Sequence, residues 1–197
     1  MRLFFVPGTC ALIPHVTLRE LAVPFTLEKV GMPDKKLANG DDYLKINPKG
    51  QVPALQLDDG EVLTEAGLIA RYLSDTSGGK LFPTQGFARV RAEEWLSFFA
   101  TELHKGLSPL YSPKATDDFK QWLFEQRIAP RFDFLDRHLA GRQWVLDDFS
   151  ILDIYALYSA RGLKSRGYEL TAWPNVVALQ ERVAARQSVK DALAAGA

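Results

Sequence analysis

The sequence predicts a chain of two parts. An α/β domain with element order βαβ then ββα covers residues 1–77, a linker covers 78–86, and an all-helical bundle covers 87–197. Three observations carry this reading. Short apolar runs separated by Pro-Gly and Asp-Gly turns are confined to the first part. The stretch from Ser77-Gly78-Gly79 through Pro83 to Gly86 breaks both the strand and the helix period. Beyond it, apolar residues recur only at helical spacing, and strands segregated from helices in this way indicate two architectures joined once.

The elements follow in order. Arg2 to Phe5 is an apolar strand stopped by Pro7-Gly8, and a helix runs from Cys10 with Leu12, Ile13, Val16 and Leu21 on its apolar face. Phe25 to Val30 alternates as a second strand, which completes the βαβ unit. Gly31 to Gly40 reads as loop, and Pro48 to Pro53 is a bent segment set by one glycine and two prolines. Ala54 to Leu57 and Glu61 to Leu63 flank Asp58-Asp59-Gly60, a hairpin signal. Thr64 is placed to cap a helix from Glu65 to about Ser74. In the second part, helices are expected over Phe87 to Leu107 and over Asp117 to Leu139, the latter kinked at Pro130. Ser150 and Asp153 form a capping-box pattern ahead of a buried helix carrying Ile154, Leu157 and Ala160. Trp173-Pro174 opens a further helix, and Ser188 is expected to cap a last short one.

The 197 residues, 47% hydrophobic and 24% charged, suffice for a sizeable core. Lys+Arg 24 balance Asp+Glu 24, so neither a nucleic-acid footprint nor an electrostatic membrane anchor is expected. One cysteine allows no internal disulfide, and no Cys/His cluster has zinc spacing, so no metal is expected. The apolar run before Pro7 is too short for a signal peptide or membrane span, so the expected location is cytoplasmic.

Cys10 follows a Pro-Gly turn at a helix start, where amide groups and the helix dipole favour a thiolate. The alternative is a small buried side chain. Val52-Pro53 can be a cis bond that offers the Val52 backbone to an extended peptide ligand, or an ordinary edge-strand proline. Glu65 with the amides of Glu65 and Ala66 can hold an amino-acid head group, or be a carboxylate at a helix N-terminus and nothing more. His104 and Lys105 suit a helix C-terminus electrostatically whether or not they touch a ligand. His15 and His138 carry no such signal, the first reading as a packing residue and the second as part of a solvated run.

Taken together, Pro7-Gly8-Thr9-Cys10 with Pro14-His15 and Leu18-Arg19-Glu20, the run Asn47 to Leu55, Leu63-Thr64-Glu65, Glu102 to Gly106 with Ser108-Pro109-Leu110, and the Asp153 capping box resemble the glutathione transferase family, specifically its bacterial beta class. The resemblance covers nearly the whole chain. It implies a thioredoxin-like first domain that binds glutathione, a helical domain that shapes the site for a small hydrophobic electrophile, and a homodimer. It implies further that Cys10 lies beside the glutathione sulfur with His104 next to it, and that Val52 before cis-Pro53 binds the cysteinyl backbone. Lys35 is implied at the glycine end and Glu65 with Ala66 at the γ-glutamyl group. Thr101, Glu102 and Lys105 are implied near glutathione on the His104 helix, and Ser97 stands where relatives carry Asn. The sequence also departs from the family at Phe5 (Tyr in many relatives), at Gly162 (an aromatic residue) and at Gln187 (Pro). The lead expectation is glutathione conjugation. Its rivals are a glutaredoxin-like exchange in which Cys10 attacks a glutathionyl disulfide, and a binding protein that kept the fold without the activity.

Overall fold

The computed structural model describes residues 1–196. It divides into two compact units, Met1–Phe82 together with the residues from Arg186 onward, and Pro83–Ala185. The division falls within the expected 78–86 linker, but that stretch is not a loose tether: Leu81 and Phe82 are buried, and the Leu81 amide donates to Ser74 Oγ at 3.0 Å. The terminal residues depart from the expected 87–197 domain by belonging to the first unit. The reason is an ion pair. Arg186 donates from Nε and Nη2 to both Glu20 oxygens at 2.7 and 2.8 Å, and the Ser188 hydroxyl donates to the same carboxylate. Ser188 therefore does not cap the last helix; Arg186 stands at that cap position. Burial alone would raise the Glu20 pKa, but the bonds from Arg186 and Ser188 outweigh it and hold the carboxyl below its ordinary value.

In the first unit the order is β1 (Arg2–Phe5), α1 (Leu12–Glu20), β2 (Thr26–Lys29), β3 (Ala54–Gln56), β4 (Val62–Thr64) and α2 (Ala66–Thr76), with α9 (Gln187–Ala194) added from the C-terminus. The sheet order is β2-β1-β3-β4, β1 pairing parallel to β2 and antiparallel to β3, and β3 antiparallel to β4. This is the expected βαβ then ββα arrangement. Side-chain alternation separates two buried layers: Leu3 and Leu55 sit opposite one another in register, while Phe4 and Ala54 join Val30, Leu37 and Tyr43 on the other face. Each fully buried side chain of the Leu or Phe size contributes about 1.5–3 kcal/mol. Thr64 does not cap α2, because it ends β4; Glu65 occupies the cap position without a side-chain cap bond.

The second unit is helical throughout its regular structure. It comprises α3 (Gly86–Phe98), α4 (Lys105–Leu107), α5 (Asp117–Leu123), α6 (Ala129–Leu139), α7 (Ile151–Lys164) and α8 (Pro174–Ala184). The two long helices expected here are each interrupted by a π segment, Phe99–His104 between α3 and α4, and Phe124–Ile128 between α5 and α6. Pro130 explains the second. It has no N–H for the Gln126 carbonyl four residues earlier, and a wider turn at that point absorbs the lost bond. The capping box forms as expected. Asp153 Oδ2 accepts from the Ser150 amide at 2.8 Å, its Oδ1 accepts from the Val145 amide at 2.8 Å, and both lie within a buried helix start. Burial outweighs these bonds and pushes the Asp153 carboxyl up to about 6.

Candidate active site

Six of the expected site residues belong to the first unit. Cys10 lies in the turn before α1, with Ala11 at the cap position, so it precedes the helix instead of starting it. That turn is closed by the Thr9 hydroxyl donating to the Val6 carbonyl at 2.7 Å. Half-buried, the Cys10 thiol donates to the Val52 carbonyl at 3.6 Å. The sole cysteine and the cis Val52-Pro53 bond are thus brought together across 42 residues. The Val52 carbonyl expected to be open to a ligand is already an acceptor for Cys10.

The bend before Pro53 is held from beneath. Asn47 Nδ2 and the Tyr43 hydroxyl both donate to the Gln51 carbonyl, at 2.7 Å each. Gly50 stands at φ 62°, in the left-handed region, and its carbonyl accepts from Lys35 Nζ at 2.8 Å. Lys35 is therefore bound to its own unit at the edge of this bend, with the Met32 sulfur also at 2.7 Å from its ammonium.

Glu65 has φ 70° and ψ 110°, a region that a residue with a Cβ seldom occupies. Lys35, at φ 56°, is a second such residue. Among the described residues three non-glycine residues have positive φ, the third being Ala22, so two of the three are expected ligand residues. Strain of about 1–3 kcal/mol per residue persists where surrounding structure enforces it, and it clusters at ligand clamps. The Glu65 side chain is exposed and pairs with Lys49 Nζ at 3.2 Å; Lys49 also donates to Thr64 Oγ1 at 2.9 Å. Ala66, the next residue, is buried at the first turn of α2.

The remaining expected residues lie on the second unit, along α3 and the π segment. Ser97 and Thr101 are exposed, and the Thr101 hydroxyl donates to the Ser97 carbonyl at 2.9 Å. Lys105 is exposed one turn further on. Glu102 turns to a different partner: Arg131 of α6 meets its Oε2 from Nε and Nη2, each at 2.9 Å. His104 is half-buried, with Nδ1 at 2.9 Å from the Tyr155 hydroxyl and its ring edge-on to Tyr158 at 5.1 Å. Sequence reasoning did not find Tyr155, which lies 51 residues away and on another helix, so no local spacing marks it. Arg131 was missed for the same reason. Lys49 lies within the run Asn47 to Leu55, but nothing in its spacing marks the pair with Glu65.

The two remaining histidines are both packed, as the sequence implies for His15 but not for His138. His138 is not solvated: its Nε2 lies 2.8 Å from the Val145 carbonyl and its ring 4.4 Å from Trp95. His15 is fully buried, accepts from Arg19 Nε at 3.0 Å, and has its pKa lowered to about 4 by burial and then by the Arg19 charge. At Gly162 an added Cβ would meet the Tyr111 hydroxyl at 2.7 Å. Phe5 is a core residue. Among the described residues, no group of three or more His, Cys, Asp or Glu is placed to hold a metal, and no helix is long and apolar enough to cross a membrane.

A cysteine beside a cis-proline bend, on a βαβ-ββα frame, matches the family suggested by the motifs. A family model described as "Glutathione S-transferase, N-terminal domain" matches residues 8–76, and one described as "Glutathione S-transferase, C-terminal domain" matches residues 84–196. The chain belongs to the glutathione S-transferase family. It is 39% identical to "Glutathione S-transferase GstA" of Escherichia coli O157:H7, over 99% of this chain and 98% of that protein. A sphingomonad glutathione S-transferase solved in complex with glutathione is similar at TM-score 0.94 and 37% identity, covering 100% of this chain and 98% of the other. The bacterial beta class expected from the motifs is that of a Sphingomonas chungbukensis glutathione S-transferase, similar at TM-score 0.93 and 37% identity over 100% of this chain and 98% of its own. Membership makes this chain an enzyme of a glutathione-conjugating family.

Proposed function

We propose that this enzyme binds reduced glutathione on its first unit and directs the glutathione sulfur to a small hydrophobic electrophile, with Cys10 beside that sulfur. The observation that carries the proposal is the contact of Cys10 Sγ with the Val52 carbonyl at the cis-Pro53 bend. An extended cysteinyl backbone pairs with a strand end through main-chain groups, so Val52 supplies the N–H for it. Glu65 takes the γ-glutamyl ammonium, while the amides opening α2 at Ala66 take its carboxylate. Lys35 faces the glycine carboxylate. Ser97, Thr101, Glu102, His104 and Lys105 are assigned to the ligand from the second unit on the strength of their motif alone.

In the reaction, the glutathione thiol gives its proton to solvent water, its sulfur forms a bond to the electrophilic carbon, and the leaving group departs with the bonding pair. Hydrogen bonds from His104 and from Cys10, its S–H turned from the Val52 carbonyl to the glutathione sulfur, favour the thiolate by stabilising its charge. No residue of this chain needs to change oxidation state. The Cys10–Val52 geometry also favours a second activity, in which the Cys10 thiolate attacks a glutathionyl disulfide, expels one thiolate and is released by a second glutathione. The protein is proposed to act as a homodimer in the cytoplasm.

Cys10→Ala and His104→Ala, assayed for conjugation and for retention on immobilised glutathione, test the assignment. Lowered conjugation with glutathione still retained is expected; unchanged conjugation in both removes these residues from the mechanism. Mass spectrometry after oxidised glutathione tests the second activity, and absence of an adduct on Cys10 excludes it.

A further inference from the structure

The helical unit contains a groove of about 450 Å³ that shares no lining residue with the site described above. It is lined by Leu110, Asp117, Lys120, Gln121, Ser165, Arg166 and Tyr168. That volume lies in the range of small-molecule sites. The lining is unusual for such a site in being polar: one leucine, and otherwise side chains that donate or accept hydrogen bonds. Two of them are cationic and one is anionic.

The guanidinium of Arg166 is held in place without a carboxylate. It lies over the Tyr111 ring at 4.2 Å from the centroid and makes no ion pair among the described residues. Tyr111 is itself located by Gly162, whose missing side chain leaves the room that the phenol oxygen occupies. An arginine stacked on an aromatic face keeps its N–H edge available for a planar anion, and its orientation is fixed before binding. On the other wall, Lys120 is mostly buried and has only a long 3.8 Å contact to Asp117, whose side chain is fully exposed. Tyr168 has one face covered by Phe124 at 4.2 Å. It adds a hydroxyl to the groove rather than an open apolar surface.

We infer that this groove is a binding site for a small polar organic anion, a carboxylate or phosphate ester, held by Arg166 and Lys120 with Ser165, Gln121 and Tyr168 as hydrogen-bonding walls. The polar lining argues against a hydrophobic electrophile there, and the site does not depend on the glutathione reading. Asp117 acts as a repulsive element that selects against more highly charged ligands.

The test is calorimetric titration of the intact protein with succinate and, separately, with glycerol 3-phosphate, using neutral succinamide as the control. One saturable site per chain is expected for at least one anion, with none for succinamide. Affinity is expected to fall at least tenfold in Arg166→Gln and in Lys120→Gln, and to rise a few-fold in Asp117→Asn. Binding is expected to persist in Cys10→Ala and with reduced glutathione present, which separates this site from the thiol site. Failure of both anions to bind, displacement by glutathione, or equal binding by parent, Arg166→Gln and Lys120→Gln overturns the inference. Unchanged circular dichroism in the two cation variants establishes that a loss is one of binding.

Discussion

Replacing Gly162 by alanine has an effect whose sign depends on residue 111. Gly162 is inside α7, where alanine is favoured over glycine by roughly 1 kcal/mol. Its new Cβ, however, would lie 2.7 Å from the Tyr111 hydroxyl, with Leu107 Cδ1 the next neighbour at 3.8 Å. The phenol must move by several tenths of an ångström, and overpacking of this kind costs about 1–3 kcal/mol. Swinging Tyr111 outward also releases Arg166, whose stacking is worth about 0.5–1 kcal/mol at an exposed site. Gly162→Ala is therefore expected to destabilise the parent by about 1 kcal/mol. In a Tyr111→Phe background the offending oxygen is gone, and the same change should stabilise by about 1 kcal/mol through helix propensity. Urea unfolding of the four proteins in a double-mutant cycle measures the coupling, expected at about 2 kcal/mol. Equal effects of Gly162→Ala in both backgrounds would refute the packing argument.

Asp153→Ala leaves the buried Val145 and Ser150 amides without their acceptor, and each such group costs about 1–3 kcal/mol; a urea midpoint within error of the parent would contradict this. Burial holds His15 neutral in the fold down to about pH 4, whereas the unfolded imidazole titrates near its ordinary value of 6.5. The unfolded state takes up the proton first as pH falls, so His15 contributes stability above pH 6.5 that is lost towards pH 4, about 3 kcal/mol in all. Asp153, with its pKa raised to about 6, acts with the opposite sign over nearly the same window, so the His15 contribution is read as the difference between parent and His15→Gln across pH 4–7. A pH-independent difference would rule it out. Glu65→Gly relieves the positive φ and is expected to raise stability by about 1 kcal/mol while weakening glutathione binding; a loss of stability would show that φ 70° is unstrained here.

The order of strands and helices was legible because each rests on local signals: Pro7-Gly8, the Asp58-Asp59-Gly60 turn, and apolar period. The capping box at Ser150 was legible for the same reason, since both partners lie within one helical turn. What escaped is non-local. The ion pair of Glu20 with Arg186 spans 166 residues and moves α9 into the first unit, which no composition shift marks. The π segments over Phe99–His104 and Phe124–Ile128 interrupt helices that the apolar period reads as continuous. At the site, Cys10, Val52 and Glu65 could be nominated from turn and cap chemistry, but the bond between Cys10 and Val52 closes only when β1 and β3 pair. Glu102 shows the same limit: Arg131, on a distant helix, meets its carboxylate, and no local spacing marks that partner.

Calorimetric titration of the reduced protein with glutathione, alongside Cys10→Ala and Glu65→Ala, tests whether the first unit holds the tripeptide. One saturable site per chain is expected, weakened at least tenfold in Glu65→Ala and retained in Cys10→Ala. Absence of binding to the parent protein would contradict it and leave the fold as a record of ancestry alone.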